Sequence, residues 1–328
     1  MEPPETDATV LSEARNRAGQ RATLPDVYYI VPDGYARGDV LARHYDFDNS
    51  EFLTYLRSRG FYVAERATAN YPMTFMSLAA TLNMTLLEPQ VALLRDAQGA
   101  EARARTIFYN AISNALVPQV FKALGYRYVA VETSWRGTES APLADLRYNL
   151  APIVGSELYG VLLRTTAARS LAPSVADMHF YALDRLATIA DLPDPTFAFV
   201  HLLLPHNPYV IDRHGQVRAN VPLSLNFAIK TGGWERKDAY IDQVIYINGR
   251  LRQAIDYILK VSPKPPIIVV QSDHGSASTA RREGKEKLPP LPSERLPSLS
   301  ALLVPESARA ALYPEMSNVN TFRVILRE

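Results

Sequence analysis

The chain has 328 residues, 47% hydrophobic and 21% charged, a composition able to bury the core of one large or two medium domains. Its formal net charge of +1 supplies no strong field toward nucleic acid or acidic membranes. It contains no cysteine, which excludes disulfides, thiol nucleophiles and thiolate ligands, so any metal must be held by His, Asp, Glu or hydroxyl oxygens.

Residues 1–24 are polar, charged and proline-containing, without the apolar stretch of a signal peptide. They read as a flexible leader or linker ahead of one domain over residues 25–328. No segment approaches the roughly 18 apolar residues that span a bilayer. The longest apolar stretch, Phe197 to Leu204, is interrupted by His201.

Residues 26–31 form an apolar run that ends in Pro32-Asp33-Gly34 and reads as a buried strand. Asp48, Asn49 and Ser50 offer N-caps for a helix over 51–58 closed by Gly60, and 61–67 reads as a short strand. In the segment 70–83, Pro72 suits a first helical turn. Phe75, Leu78, Ala79 and Leu82 share the core-facing stripe, and Thr74, Ser77 and Thr81 lie on another. Residues 110–124 read as one helix ending at Gly125, and 126–132 as a strand. The pattern over 143–171 is ambiguous. Helical spacing over 175–190 precedes a buried strand over 196–204. Ile241, Val244, Ile245, Leu251, Ile255 and Ile258 make one stripe of a long helix over 238–260. The run 265–275 then carries four β-branched apolar positions, Ile267 to Val270, into Gln271-Ser272 and Asp273-His274-Gly275. The charged, proline-rich stretch 281–297, with Arg281, Arg282, Lys285 and Lys287, reads as a solvated loop. A strand over 299–304 and a helix over 320–326 close the chain.

Alternating strands and helices predict an α/β fold with a mainly parallel central sheet flanked by helices. Parallel strands deliver their carboxyl ends to one edge, where such sheets bind ligands. Asp33, the His201 and His206 region, and Asp273-His274 all sit at strand ends. Carboxylate plus imidazole is a donor pair that suits zinc or manganese. Thr74, in a first helical turn, would meet an anion favoured by the free N–H groups and the helix dipole. Read in isolation, Asp33 is equally a turn residue before Gly34, and Thr74 a capping hydroxyl. His44, His179 and His214 have no convergent partners and read as surface or ordinary structural residues. Tyr71 and Tyr209 flank the expected pocket.

The order Asp33-Gly34, Thr74-x-x-Ser77, His201-x4-His206-x-Pro208, Asp273-His274-Gly275 resembles the alkaline phosphatase superfamily, in its sulfatase-like branch. Within it the chain is similar to lipoteichoic acid synthases (phosphoglycerol transferases) and lipid A phosphoethanolamine transferases, over residue 26 to about 327. The resemblance implies the three-layer fold of that superfamily and one divalent ion, zinc or manganese, with magnesium or calcium as alternatives. Its ligands would be Asp33, Thr74, Asp273 and His274. Thr74 would also be the nucleophile. His206 would bind the substrate anion or serve the leaving group, with Ser77, Tyr209 and His201 near the substrate. It further implies a lipid or glycan phosphoester substrate, no nucleic acid, a membrane-anchored full-length form, and a periplasmic or outer-face location.

Two departures matter. Sulfatases proper mature a Cys or Ser followed by x-Pro/Ala-x-Arg to formylglycine, whereas this chain has Thr74-Phe75-Met76-Ser77-Leu78. Gly34 stands where sulfatases have a second aspartate, which points to one ion rather than two. A sulfate ester hydrolase and a non-catalytic binding relative are the alternative readings. A dinucleotide site is disfavoured, because no Gly-x-Gly-x-x-Gly follows the first strand.

Overall fold

The run Val27–Pro32 is buried at every position, and its side chains divide between two cores. Tyr28 and Ile30 enter one core, and Val27, Tyr29 and Val31 the other. Alternation along a strand sends successive side chains to opposite faces, so an all-apolar strand needs a packed layer on each side.

The computed structural model describes residues 7–18, 24–96, 101–150, 173–193, 195–219, 233–283 and 286–327. In chain order these form α1 (Asp7–Ala18), β1 (Val27–Pro32), α2 (Gly38–Tyr45), α3 (Ser50–Ser58), β2 (Tyr62–Val63), α4 (Thr74–Leu82), α5 (Glu88–Asp96), α6 (Glu101–Ser113), α7 (Leu116–Ala123), β3 (Arg127–Val131) and β4 (Leu146–Tyr148). They continue with α8 (Val175–Thr188), β5 (Thr196–Leu202), α9 (Lys237–Val261), β6 (Ile267–Gln271), β7 (Arg281–Glu283), β8 (Glu286–Leu288), α10 (Pro292–Arg295), β9 (Ser300–Leu303), α11 (Glu306–Arg309) and α12 (Thr321–Ile325).

Among the described residues the main sheet has seven strands in the order β2-β9-β6-β1-β5-β3-β4. The five from β6 to β4 run parallel, and β9 and β2 continue the sheet through antiparallel pairing. Register aligns Ile30 with both Val200 and Val270, so β1, β5 and β6 end side by side. Side chains of α2, α3, α8 and α9 share one core, and those of α4, α6, α7 and α12 share the other. This is the three-layer α/β fold expected from the sequence.

Four expectations shift in detail. Asp7–Ala18, inside the expected leader, is helical, and its Ala14 is buried in the second core with Val10 and Leu11 packed nearby. The remainder of the leader, at 1–6 and 19–23, lies outside the described residues, as do 151–171 of the ambiguous stretch. The helix expected over 110–124 is two, α6 and α7, because Pro118 lacks an N–H and fits only the first turn of a restarted helix. Asn83 accepts the Leu116 N–H at that restart (3.0 Å). The strand expected over 61–67 pairs only at Tyr62 and Val63, since Arg66 and Thr68 give their N–H groups to Pro314 and Met316. The stretch 281–297 is not simply a solvated loop. It holds a short hairpin, β7 and β8, then α10, in which Glu294 is fully buried; its Lys285 lies outside the described residues.

The close approach of α10 needs a glycine. A Cβ on Gly275 would stand 2.4 Å from the Glu294 carbonyl oxygen and 2.5 Å from that of Pro297. These neighbours are backbone atoms and cannot swing away. Gly275→Ala is therefore expected to destabilise the protein by about 1–3 kcal/mol, the usual scale for overpacking. Chemical denaturation of both forms checks this, and an unchanged midpoint would mean that α10 is free to retreat.

Candidate active site

Three strand ends and one helix start meet at a single buried point. Asp33 follows β1, His201 lies on β5 with His206 just beyond it, and Asp273-His274 follow β6. Thr74 is the first residue of α4, preceded by Met73 in extended conformation with no side-chain cap on that turn. The helix is buried from Phe75 through Leu82: α6 packs on Phe75 through Phe108, while Ser77 bonds the Asp273 carbonyl after β6.

The Thr74 hydroxyl stands 3.1 Å from His274 Nε2. That nitrogen is 3.3 Å from Asp273 Oδ2 and 3.5 Å from Asp33 Oδ1. Both of these carboxylate oxygens are buried without a hydrogen-bond donor among the described residues. Buried carboxylate oxygens normally have partners. His274 Nδ1 lies 2.9 Å from the Gly275 carbonyl, which can only accept, so Nδ1 carries the proton and Nε2 keeps its lone pair. Two orphaned anionic oxygens, a bare imidazole nitrogen and a hydroxyl on one point form a donor set that fits a divalent cation. A ring nitrogen of His206 comes within 4.8 Å of the Asp33 and His274 ligand atoms. Its Nδ1 is 2.6 Å from the Asn207 carbonyl, which leaves Nε2 bare as well.

Electrostatics agree with this arrangement. Burial raises the Asp273 carboxyl, and the Asp33 charge adds to it, pushing it up to about 7. Burial acts in the same direction on Asp33, but His206, His201 and His274 outweigh it and hold that carboxyl below the usual carboxylate range. His274 is held well below the ordinary imidazole value, first by burial and then by the Arg295 charge. Burial also lowers His206, against the pull of Asp33.

Other expected site residues take different places. Ser77 does not face a pocket; it is buried and donates to the Asp273 carbonyl (2.6 Å), tying α4 to the ligand turn. His201 is fully buried between Asp33 Oδ2 (3.4 Å) and Thr138 Oγ1 (3.2 Å), out of reach of a substrate. Tyr209 packs in the core against Tyr240, with ring centroids 6.3 Å apart, rather than lining the cluster. The reason is Gln243 on α9. It accepts from the Val210 N–H and donates to the Pro205 and His206 carbonyls, and so clamps the whole loop inward. The Tyr71 hydroxyl takes the Leu87 N–H (2.8 Å).

Arg295 and Trp234 were not legible in the sequence. Arg295 directs Nη2 at His274 Nε2 (2.9 Å), while its Nε and Nη1 donate to the Pro72 and Gly275 carbonyls. Trp234 lies under the guanidinium (5.6 Å) and edge-on to the His206 ring (5.0 Å). Gly34, at φ 71°, makes room for it, since a Cβ there would stand 2.9 Å from the indole. Arg295 is held by its neighbour Glu294, whose carboxylate accepts from Ser276 and Tyr45 hydroxyls, the Ser278 and Thr279 N–H groups and the Thr279 hydroxyl. A proline-rich stretch without periodicity gave no signal for any of this.

No protein-family model and no curated protein sequence matches the chain. Solved structures do. The C-terminal periplasmic domain of EcEptC from Escherichia coli, in complex with Zn, superposes with a TM-score of 0.58 at 14% identity, over 93% of this chain and 83% of that one. The chain shares the α/β fold of that domain. The C-terminal periplasmic domain of phosphoethanolamine transferase EptC from Campylobacter jejuni gives 0.54 at 12% identity, over 93% of this chain and 89% of that one. A Vibrio parahaemolyticus protein in the alkaline phosphatase superfamily gives 0.50 at 10% identity, over 97% and 73%. The three-layer α/β fold expected from the sequence is shared with these structures. No described helix is long and apolar enough to cross a membrane.

Metal binding should report the raised Asp273 carboxyl. A cation must displace that proton, so affinity is expected to rise about tenfold per pH unit below 7 and to level off above it. In the metal-free protein the same carboxyl favours folding below its unfolded value of 3.8, and that stability is lost as pH rises through about 7. Chelator competition with Zn²⁺ across a pH series checks the first statement. A flat profile would remove Asp273 from the donor set.

Proposed function

We propose that the chain is a metal-dependent transferase or hydrolase of phosphodiester-type substrates, such as phospholipid head groups, with Thr74 as nucleophile. The observation that carries this reading is the Thr74 hydroxyl at 3.1 Å from the unprotonated His274 Nε2, beside two donorless carboxylate oxygens. Asp33, Asp273, His274 and Thr74 would hold one divalent ion, zinc or manganese. When bound, such an ion supplies Lewis acidity toward the Thr74 hydroxyl and the transferring group.

The protein's own groups then have distinct tasks. Thr74 Oγ1 forms the new bond to phosphorus as the bond to the leaving oxygen breaks in line. His206 Nε2, left bare by the Nδ1 bond to Asn207, takes the hydroxyl proton and returns it to the departing alkoxide. The Arg295 guanidinium neutralises charge on the transferring oxygens, released for that purpose when His274 Nε2 is otherwise engaged. The resulting phospho-threonine passes its group to an acceptor alcohol or to water by the reverse sequence.

We further propose that residues 25–328 act as one catalytic unit outside the cytoplasm, on a lipid- or glycan-linked phosphoester, in a full-length form held at a membrane. The support is the resemblance in fold to periplasmic domains of phosphoethanolamine transferases.

Thr74→Ala is expected to fold normally and to lose turnover of a chromogenic phosphodiester, while Thr74→Ser keeps a fraction. Wild-type turnover in Thr74→Ala would remove Thr74 as nucleophile. Intact mass after incubation with substrate and metal should show a phosphoryl-type adduct on Thr74 and no formylglycine. Efficient sulfate release from aryl sulfates, without phosphoester turnover, would instead favour the sulfatase alternative.

His206→Ala should lower kcat by roughly 10²–10⁴-fold with metal content preserved. His274→Ala should lose the metal first. Metal stoichiometry and turnover on both variants test the division of roles. Loss of metal from His206→Ala would make His206 a ligand.

A further inference from the structure

Asp33 has two carboxylate oxygens in different surroundings. Oδ1 faces His274 Nε2 at 3.5 Å and has no donor. Oδ2 faces His201 Nε2 at 3.4 Å. His201 is fully buried, and its Nε2 has no partner in hydrogen-bond geometry among the described residues; Asp33 Oδ2 is the carboxylate oxygen it faces. Behind His201 runs a line of hydroxyls. Its Nδ1 is 3.2 Å from Thr138 Oγ1, which is 2.7 Å from Thr133 Oγ1. Thr133 Oγ1 accepts the Trp135 N–H at 3.2 Å. The turn is closed by Thr133 N–H to the Thr138 carbonyl (3.0 Å) and Thr138 N–H to the Trp135 carbonyl (2.9 Å). The Trp135 ring meets His201 edge-on at 5.4 Å.

Proton counting gives this line a direction. Each threonine hydroxyl has one proton. If Thr133 donates to Thr138 and Thr138 donates to His201 Nδ1, every hydroxyl proton is used and His201 carries its proton on Nε2, toward the carboxylate. In the opposite direction the Thr133 hydroxyl proton has no acceptor among the described residues, and a bare Nε2 lone pair opposes an anionic oxygen. Thr133 is half-buried, but the lone pair set against the carboxylate would be fully buried, where it is costly.

We infer that His201 is a positioning residue for Asp33: the Thr133–Thr138 hydroxyl line fixes its Nε2–H on Asp33 Oδ2 and leaves Oδ1 alone for the metal. The inference rests on Asp33 being a metal ligand. Its consequence is a ligand of one orientation whose second oxygen is already engaged, an outer partner of the kind that adjusts metal affinity. A rival arrangement uses the same atoms differently. Asp33, His201 and Asp273 also have ligand atoms within 4.8 Å of one another, and a bare His201 Nε2 would make them a second metal triad.

The first experiment needs no variant. Long-range ¹H–¹⁵N spectra of protein labelled at histidine are expected to show His201 as the Nε2–H tautomer, with His206 and His274 as Nδ1–H. Zn²⁺ should shift the His274 Nε2 signal strongly and leave His201 protonated at Nε2. A bare His201 Nε2, or its direct ligation by zinc, would overturn the inference in favour of the second triad. The second experiment is chelator competition for Zn²⁺, with Co²⁺ absorption as the spectroscopic readout. Thr138→Val keeps the side-chain volume but not the donor, and should weaken affinity at least about 10-fold, the lower end of the outer-partner range. Thr138→Ser should restore it. Wild-type affinity and an unchanged Co²⁺ spectrum in Thr138→Val would overturn the inference while leaving Asp33 as a ligand. Failure of the wild-type protein to bind either ion would overturn the metal reading and this inference together, whatever tautomer His201 shows.

Discussion

The burial of two carboxylates, Asp33 and Asp273, side by side at the end of a parallel sheet is the constraint on which the rest of this structure turns. Removing an ion from water costs on the order of several kcal/mol even after relaxation. The protein meets this cost unevenly. Asp33 is surrounded by three imidazoles, whereas Asp273 accepts the Gly34 N–H (3.0 Å) and carries the larger share of mutual repulsion. The two acids are therefore held far apart in proton affinity. One firmly ionised carboxylate beside one that keeps its proton toward neutrality is a donor pair that fits a divalent cation.

Much of the surrounding architecture follows from holding these groups in register. Ser272 accepts the Tyr35 N–H and donates to the His274 carbonyl, locking the turns after β1 and β6 together. Asn318 reaches the Ser272 carbonyl, so the C-terminal segment also braces the site. Tyr240 on α9 donates to the Gly34 carbonyl and accepts the Ala36 N–H. The bonds from Tyr35 to Ser272 and from Tyr240 to Gly34 and Ala36 join positions more than two hundred residues apart. They are short-range forces that act only because β1, β5 and β6 end at one level.

The glycines at Gly34 and Gly275 serve the same end by opposite means. Gly34 adopts a left-handed conformation that leaves space for Trp234. Gly275 is needed because α10 lies directly on it, which is how Arg295 reaches His274. A positive charge is thereby placed against a site rich in negative ones, without a salt bridge to either aspartate among the described residues. It remains available to an anionic group brought in from outside.

The sequence determined the fold class and the four chain positions that converge on one buried cluster. All-apolar strands demanded two covering layers, and Asp33, Thr74, His206 and Asp273-His274 fell at the ends of elements whose type periodicity could read. Pro118 likewise carried a helix break, although periodicity alone overlooked it. What only the tertiary structure decided was the environment of each side chain. Ser77 and Thr81 lie off the apolar stripe, yet both are buried, Ser77 against the turn after β6. Tyr209 turns into the core because Gln243 captures its loop from a distant helix. Arg295 and Trp234 come from stretches with no local pattern, and they reach the site through a buried glutamate and a missing Cβ. Local periodicity reports which face of an element is apolar; it carries no information about which distant backbone will close over that face, and it was this closure that gave the site its charge balance.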